Sequence, residues 1–394
     1  MPSTPPPPAE GEGGGGGEPV LLTPGPLTTR PETRAAMDRD WGSRDAAFIE
    51  LTARVRRRLL ALANAGDAFT CVPMQGSGTF AVEAQLGTLV PRDGHLLILV
   101  GGAYGRRMAE ICRRAGRAHS VLETGEAVPP TAVAVTARLE AEPAVTDVAL
   151  VHCETTTGIL NPLARIAAAV SEAGRRLHVD AMSSFGGIPI DLARLPLASL
   201  AASANKCLES VPGVGFVVAR TDHLAQCAGN AHAVSLDLHA QWTGLEANGQ
   251  WRFTPPTQVL AALDGALDAL DGEGGVAGRF ARYWETCRTL VDGLRGLGFE
   301  TLLEDAVQAP IIVTFRAPAD AAWDFQTFYD RLAARGFVIY PGKLAQAESF
   351  RVGCIGAFRA DTMTHFVEAA AAVLREMGVA SGAPGSLPQD RPSV

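Results

Sequence analysis

Residues 178–206 read HVDAMSSFGGIPIDLARLPLASLAASANK. One apolar run delivers Asp180, and a second delivers Lys206. Lys206 and Lys343 are the only lysines among 34 Lys and Arg residues, so arginine fills nearly every ordinary cationic role in this chain. A guanidinium stays protonated, whereas a lysine amine can lose its proton and attack a carbonyl. Most lysines are solvated. Lys206, however, lies between LASLAASAN and VPGVGFVVA, both apolar, which predicts burial. Burial lowers a lysine pKa from its usual ~10.4 and frees the amine.

Outward from that stretch the chain alternates. LLILVGG (96–102), VTDVALVHCETTTG (145–158), RLHVDAMSS, LASLAASANK and VGFVVAR (214–220) read as buried strands. RRMAEICRRAG and ARIAAAVSEAGRR read as helices between them. Strands without polar alternation, separated by helices, predict a mostly parallel sheet covered on both faces. The 26 residues from Asp180 to Lys206 leave room for one helix and one strand. Polar residues gather where strands end, at Tyr104, Glu154–Thr157, Asp180, Ser203 and Lys206, and ligands of open α/β sheets bind at those carboxyl ends.

Upstream, Phe48, Ile49, Leu51, Val55, Leu59, Leu60 and Leu62 recur near helical spacing within 45–64, predicting an amphipathic helix with arginines on its wet face. FTCVPMQGSGTFAVEAQLG then runs a strand through Gly76-Ser77-Gly78-Thr79 into a helix. Free amides at a helix N-terminus, with hydroxyls beside them, can cradle an anion. A plain strand-to-helix turn also accounts for GSGT, and the spacing is neither a Walker loop nor a dinucleotide fingerprint.

At 394 residues, 47% hydrophobic, the chain can bury a substantial core, and its length suggests two domains. The expected division is a disordered Pro/Gly-rich extension (1–19) and a large domain with an N-terminal arm (20–265). Connecting helices (266–300), a small C-terminal α+β domain (301–378) and a flexible tail (379–394) follow. A net charge of −8 and a pI near 5.6 argue against nucleic acid, and no apolar run reaches the ~20 residues that cross a bilayer. Seven cysteines without a CxxC pair suit a reduced, cytoplasmic protein, and no Cys/His spacing suits a metal.

An anion cradle, an acidic strand end and a buried lysine, in that order, are what pyridoxal 5′-phosphate requires: donors for its phosphate, a carboxylate for its ring nitrogen and an amine for its aldehyde. From about Leu21 to Gly378 the sequence resembles the class V, fold type I aminotransferases. LLTPGPLTT, QGSGTFAVEAQLG, GGAYGRRM, HCETTTGILNP, VDAMSSFGGIPID, SANKC and FRVGCIG carry the resemblance. WRFTPPT carries it too, and VDAMSSFGGIPID, SANKCLESVPG, SLDLHAQW and GFVIYPGK resemble in particular the members that take 2-aminoethylphosphonate as amino donor and pyruvate as acceptor. The resemblance implies an α/β fold: a large domain whose mostly parallel, seven-stranded type of sheet is flanked by helices, plus a smaller C-terminal α+β domain.

By position it implies that Lys206 bonds the cofactor and moves the reacting proton, while Asp180 pairs with the ring nitrogen. Ser77, Gly78 and Thr79 would hold the phosphate, Tyr104 would stack on the ring, and Thr155 would bond near the ring hydroxyl. Met182, Ser203 and Asn205 would complete the cofactor site. Thr254 would reach the phosphate of the neighbouring subunit in a homodimer. Gly25, Pro26 and Arg351 would face substrate, the arginine taking its carboxylate; a guanidinium fork suits carboxylate or phosphonate better than an ammonium does. The implied reaction is ping-pong through pyridoxamine phosphate, without metal.

Lys343 in YPGK suits either an anion site or a solvated loop, and His152 and His178 read as structural. The chain departs from the resemblance at His239, where a tyrosine is usual, and in TGLEANGQW. An alanine– or serine–glyoxylate type of class V aminotransferase is the alternative reading. A class V lyase would need a mobile cysteine, and Cys354 lies in an apolar segment. A degenerate relative would not keep Lys206, Asp180 and the cradle together.

Overall fold

The computed structural model describes residues 18–342 and 348–385. Most of the extension expected to be disordered (1–17) and Lys343 lie outside the described residues. A seven-stranded sheet forms the centre: β1 (Phe69–Gly76), β2 (His95–Val100), β3 (Ala118–Glu123), β4 (Asp147–Val151), β5 (Arg176–Asp180), β6 (Ser199–Ser203) and β7 (Gly213–Arg220). The spatial order is β1-β7-β6-β5-β4-β2-β3. All neighbours are parallel except β7, which runs antiparallel to both β1 and β6.

The helices follow from the apolar spacing. In α1 (Ala46–Leu62), Phe48, Leu51, Val55 and Leu59 are buried on one stripe. Its arginines do more than face water. Arg54 and Arg58 pair at 2.6 and 3.1 Å with Asp264 of the helix Thr257–Gly272, holding the two helices together. α2 (Gly78–Leu89), α3 (Ala103–Arg114), α4 (Ala132–Ala141) and α5 (Leu163–Glu172) bridge successive parallel strands. Apolar clusters cover both sheet faces, one around Leu150, Val179 and Phe216, the other around Ile98, Ala149 and Val217.

The β5-to-β6 crossover corrects one expectation. Residues 181–198 contain no helix; they form a chain of turns leading directly into β6. Gly186, at φ +84°, together with Gly187, Pro189 and Pro196, denies this segment a continuous helical backbone. The segment buries Phe185 edge-on against Phe216 of β7.

After Thr257–Gly272, helix α6 (Gly275–Gly296) leads into a smaller unit of strands Ile312–Arg316, Tyr340–Pro341 and Ser349–Gly353 with the final helix Ala360–Met377. Its core gathers Phe299, Phe315, Phe328, Phe350 and Phe366. The arm joins this unit: Val20–Leu21 pairs with Phe337–Val338, and Leu22 is fully buried in the same cluster. The stretch after Val379, expected to be loose, is tied down as far as residue 385. Gly382 N donates to Leu297 O (3.0 Å) and Arg316 Nη2 to Gly385 O (2.7 Å).

Candidate active site

The carboxyl ends of β4, β5 and β6 open into a cavity of about 480 Å³, within the ~300–1,000 Å³ usual for small-molecule sites. Sequence-predicted residues on its wall are Gly25, Ser77, Gly78, Thr79, Tyr104, Thr155, Asp180, Met182, Ser203, Asn205 and Lys206. Three others are elsewhere. Pro26 is exposed beside Gly25, Thr254 is exposed on the surface, and Arg351 is buried behind Thr155.

Each wall residue has a local cause. β1 ends at Gly76 and α2 starts at Gly78, with Ser77 as its N-cap at φ −77°, ψ 169°. The Ser77 side chain makes no cap bond, so its hydroxyl and the first-turn amides remain available to an anion. At Gly78 the chain is close to Met182: a Cβ there would meet Met182 Sδ at 2.4 Å and push that side chain aside. Asp180 closes β5 opposite Val151 and Ala201, and its Oδ1 accepts the Met182 amide at 2.9 Å. Lys206 follows β6 in a tight turn in which Glu209 N donates to Lys206 O at 2.8 Å. Gly25 lies over that lysine at φ +117°, where a Cβ would strike Lys206 Cδ at 2.9 Å.

The two titrating groups are shifted in opposite senses by the same cause. Burial raises Asp180 to about 6, opposed by the Met182 amide and the Lys206 charge. Burial also lowers Lys206 to about 8, as the apolar flanks predicted. Arg351, on the strand Ser349–Gly353, is 2% exposed and lowered by burial. Its Nη1 donates to Thr155 O (2.9 Å) and its Nε to Pro341 O (3.0 Å). It forms no ion pair among the described residues, so a buried guanidinium stands behind the Thr155 wall of the cavity with donors left over.

Sequence reasoning missed Arg107, Cys153 and Ser183, which also line the cavity. Arg107 sits three residues after Tyr104 on α3, a spacing that places both on one helix face. Its Cζ lies 4.7 Å from the Tyr104 ring centroid, and its Nη1 donates to Thr79 Oγ1 at 3.0 Å. Also missed was a buried network behind the lysine. Glu209 Oε1 accepts from Arg282 Nη2 and Tyr283 OH, both at 2.6 Å, and Arg279 Nη1 donates to Cys207 O at 2.8 Å. Arg282 also donates to Gly356 O (2.6 Å) and Phe358 O (2.7 Å), tying the lysine turn to the small unit.

His152 Nδ1 lies 2.9 Å from Ser184 Oγ and burial holds its pKa near 4, while His178, in the middle of β5, bridges Ser199 Oγ and Asp147 Oδ1. Asp147, His178 and His223 converge, but Asp147 already takes both Arg176 Nε and His178 Nε2, and His223 bonds Leu89 O. All seven cysteines are buried and unpaired, and burial pushes the Cys354 thiol well up, which is unsuited to a mobile nucleophile. His239 packs edge-on against Trp242 at 5.8 Å.

The class V aminotransferase sequence model matches residues 32–336. The chain is 55% identical over 361 residues to 2-aminoethylphosphonate–pyruvate transaminase of Pseudomonas putida GB-1, covering 92% of this chain and 98% of that one. The chain belongs to the class V aminotransferases. The Pseudomonas aeruginosa PAO1 protein of the same name is 54% identical, with 92% of this chain and 97% of the relative covered. Among solved structures, pyridoxamine–pyruvate aminotransferase of Mesorhizobium loti superposes with a TM-score of 0.84 at 25% identity, covering 93% and 95% of the two chains. Pyridoxal 5′-phosphate is the cofactor of this class V aminotransferase, and the donor set fits it: uncapped amides and hydroxyls at α2, a carboxylate at β5 and a lysine amine lowered by burial.

Proposed function

We propose that the protein transfers the amino group of 2-aminoethylphosphonate to pyruvate, giving phosphonoacetaldehyde and L-alanine in two half-reactions. The observation that carries this reading is the 55% identity along 92% of the chain to relatives of that name, with the lysine, aspartate and anion cradle all converging on one cavity. When bound, the cofactor supplies an aldehyde for the amine and a ring that draws off the charge left by a departing proton.

The chain's own residues do the rest. Ser77, Gly78 and Thr79 hold the phosphate through uncharged donors at the head of α2. Asp180 keeps a proton on the ring nitrogen; once ionised and paired there, its carboxylate no longer bears the cost of lone burial. Lys206 Nζ, lowered to about 8, is the base that takes the proton from the donor's amino-bearing carbon. Tyr104 covers one ring face, and Thr155 bonds at its ring hydroxyl. Met182, Ser203 and Asn205 shape the floor, and Gly25 with Pro26 covers the lysine from the substrate side. Arg351 binds the substrate anion, phosphonate in one half-reaction and carboxylate in the other.

The active form in this reading is a homodimer in which Thr254 reaches the partner's phosphate; Thr254 and the half-exposed Phe253 and Phe80 offer such a surface. The reading places the enzyme in the cytoplasm, supported by seven unpaired cysteines and the lack, among the described residues, of any helix long and apolar enough to cross a membrane. The test is an amino-donor panel with pyruvate, following L-alanine formation from 2-aminoethylphosphonate, serine and β-alanine. The phosphonate donor is expected to win by at least tenfold in kcat/KM. Faster turnover of serine with glyoxylate would overturn the assignment in favour of a serine–glyoxylate enzyme.

A further inference from the structure

Among the described residues, two cationic side chains line the cavity, Lys206 and Arg107. Lys206 is committed to the cofactor's aldehyde, and the donors at the head of α2 are uncharged. A phosphate dianion held there by a chain of net charge −8 has, among the described residues of the cavity wall, Arg107 as its remaining positive side chain. Arg107 Nη1 donates to Thr79 Oγ1 at 3.0 Å, which sets its guanidinium against the first turn of α2. The guanidinium also lies over the Tyr104 ring, 4.7 Å from its centroid. One N–H is used by Thr79, and the remaining fork of donors is free for a tetrahedral anion.

We propose that Arg107 is a charged ligand of the phospho group bound at the head of α2, clamping the cofactor's phosphate from the mouth of the cavity while bracing Tyr104. This rests on the pyridoxal phosphate reading above. The same donors suit the phosphonate of the amino donor as well. The bond to Thr79 of the cradle, rather than to residues near Arg351, favours the cofactor. Arg107 is exposed and its one protein hydrogen bond is to Thr79, so its substitution leaves the core untouched.

The experiment strips the cofactor and titrates wild type, R107M and R107K with pyridoxal 5′-phosphate and, separately, with pyridoxal, which has the aldehyde and ring but no phosphate. Binding is read by absorbance and by quenching of tryptophan fluorescence. R107M is expected to weaken pyridoxal phosphate binding about 10- to 100-fold, where each tenfold is ~1.4 kcal/mol. Pyridoxal binding should stay within about twofold, and R107K should recover part of the loss. Unchanged pyridoxal phosphate affinity overturns the proposal. Equal losses for both ligands also overturn it, since Arg107 would then act only through Tyr104. Intact cofactor binding with a raised KM for 2-aminoethylphosphonate alone would reassign the arginine to the substrate phosphonate. If wild type bound neither compound, the cofactor reading itself would fall, an outcome separate from these.

Discussion

Replacing Arg351 by methionine removes the one buried guanidinium that stands behind the substrate space without an acidic partner among the described residues. The side chain is 2% exposed and spends Nε on Pro341 O and one N–H of Nη1 on Thr155 O, leaving Nη2 for an incoming anion. Hydrogen bonds to a charged group contribute about 1.5–3 kcal/mol each, so losing a two-pronged contact costs about 3–6 kcal/mol. At ~1.4 kcal/mol per decade, kcat/KM should fall by about two to four orders of magnitude for the donor and for pyruvate alike. Cofactor affinity should change by no more than about tenfold, through the loosened Thr155 carbonyl. Arg351→Lys keeps the charge but not the fork and should recover about one decade. Each half-reaction is followed by rapid mixing through the absorbance of the bound cofactor, with circular dichroism confirming a folded protein. A pyruvate kcat/KM within threefold of wild type in R351M would refute the assignment.

Three more outcomes follow from the same geometry. Asp180 in the cofactor-free protein is protonated below about pH 6, yet the cofactor's ring nitrogen needs the carboxylate. Affinity for pyridoxal phosphate should therefore drop about tenfold per pH unit below 6 in wild type beyond any slope seen in Asp180→Asn, and parallel titrations check it. Lys206 is lowered to about 8 in the folded state, so between pH 8 and its unfolded value near 10.5 the unfolded chain binds the extra proton and folding stability rises with pH. Cofactor-free Lys206→Met should lack that rise and, at pH 7, gain at most about 3 kcal/mol, measured by urea unfolding of both proteins. Glu209→Gln removes the acceptor charge from a buried pair and should destabilise the fold by about 3–5 kcal/mol, with Glu209→Gln/Arg282→Met less affected than the sum of its parts in a double-mutant cycle.

Much of the fold was legible because it is written in short, contiguous patterns. The apolar runs ending at Val100, Val151, Asp180 and Ser203 are strands buried on both faces, and such strands carry no alternation to misread. Lys206 stood out because composition bias removed nearly all other lysines, and its burial followed from its flanks. What sequence could not supply depends on distant partners. The antiparallel direction of β7 is set by its pairing with β1, some 140 positions away in register, and not by its own residues. The turns between Asp180 and Ser199 took the place of an expected helix because Gly and Pro act on a segment whose path is fixed at both ends by the sheet. Arg107 looked like one more surface arginine until Thr79 and Tyr104 were placed beside it. The Glu209 network joins positions 209, 273, 279, 282 and 283, and only the packing of α6 against the lysine turn brings them together. Leu22 belongs to the small unit's core although it precedes the large unit in the chain.

The account turns on Lys206 as the residue that bonds the cofactor, and the composition of the chain makes this unusually direct to test. Borohydride reduction of the cofactor-loaded protein, followed by proteolysis and mass mapping, has only two lysines to choose between, Lys206 and Lys343. The prediction is a single reduced cofactor on the SANKC peptide at Lys206, lost in Lys206→Ala together with turnover. Label on Lys343, or no label on a protein that still transaminates, would contradict it.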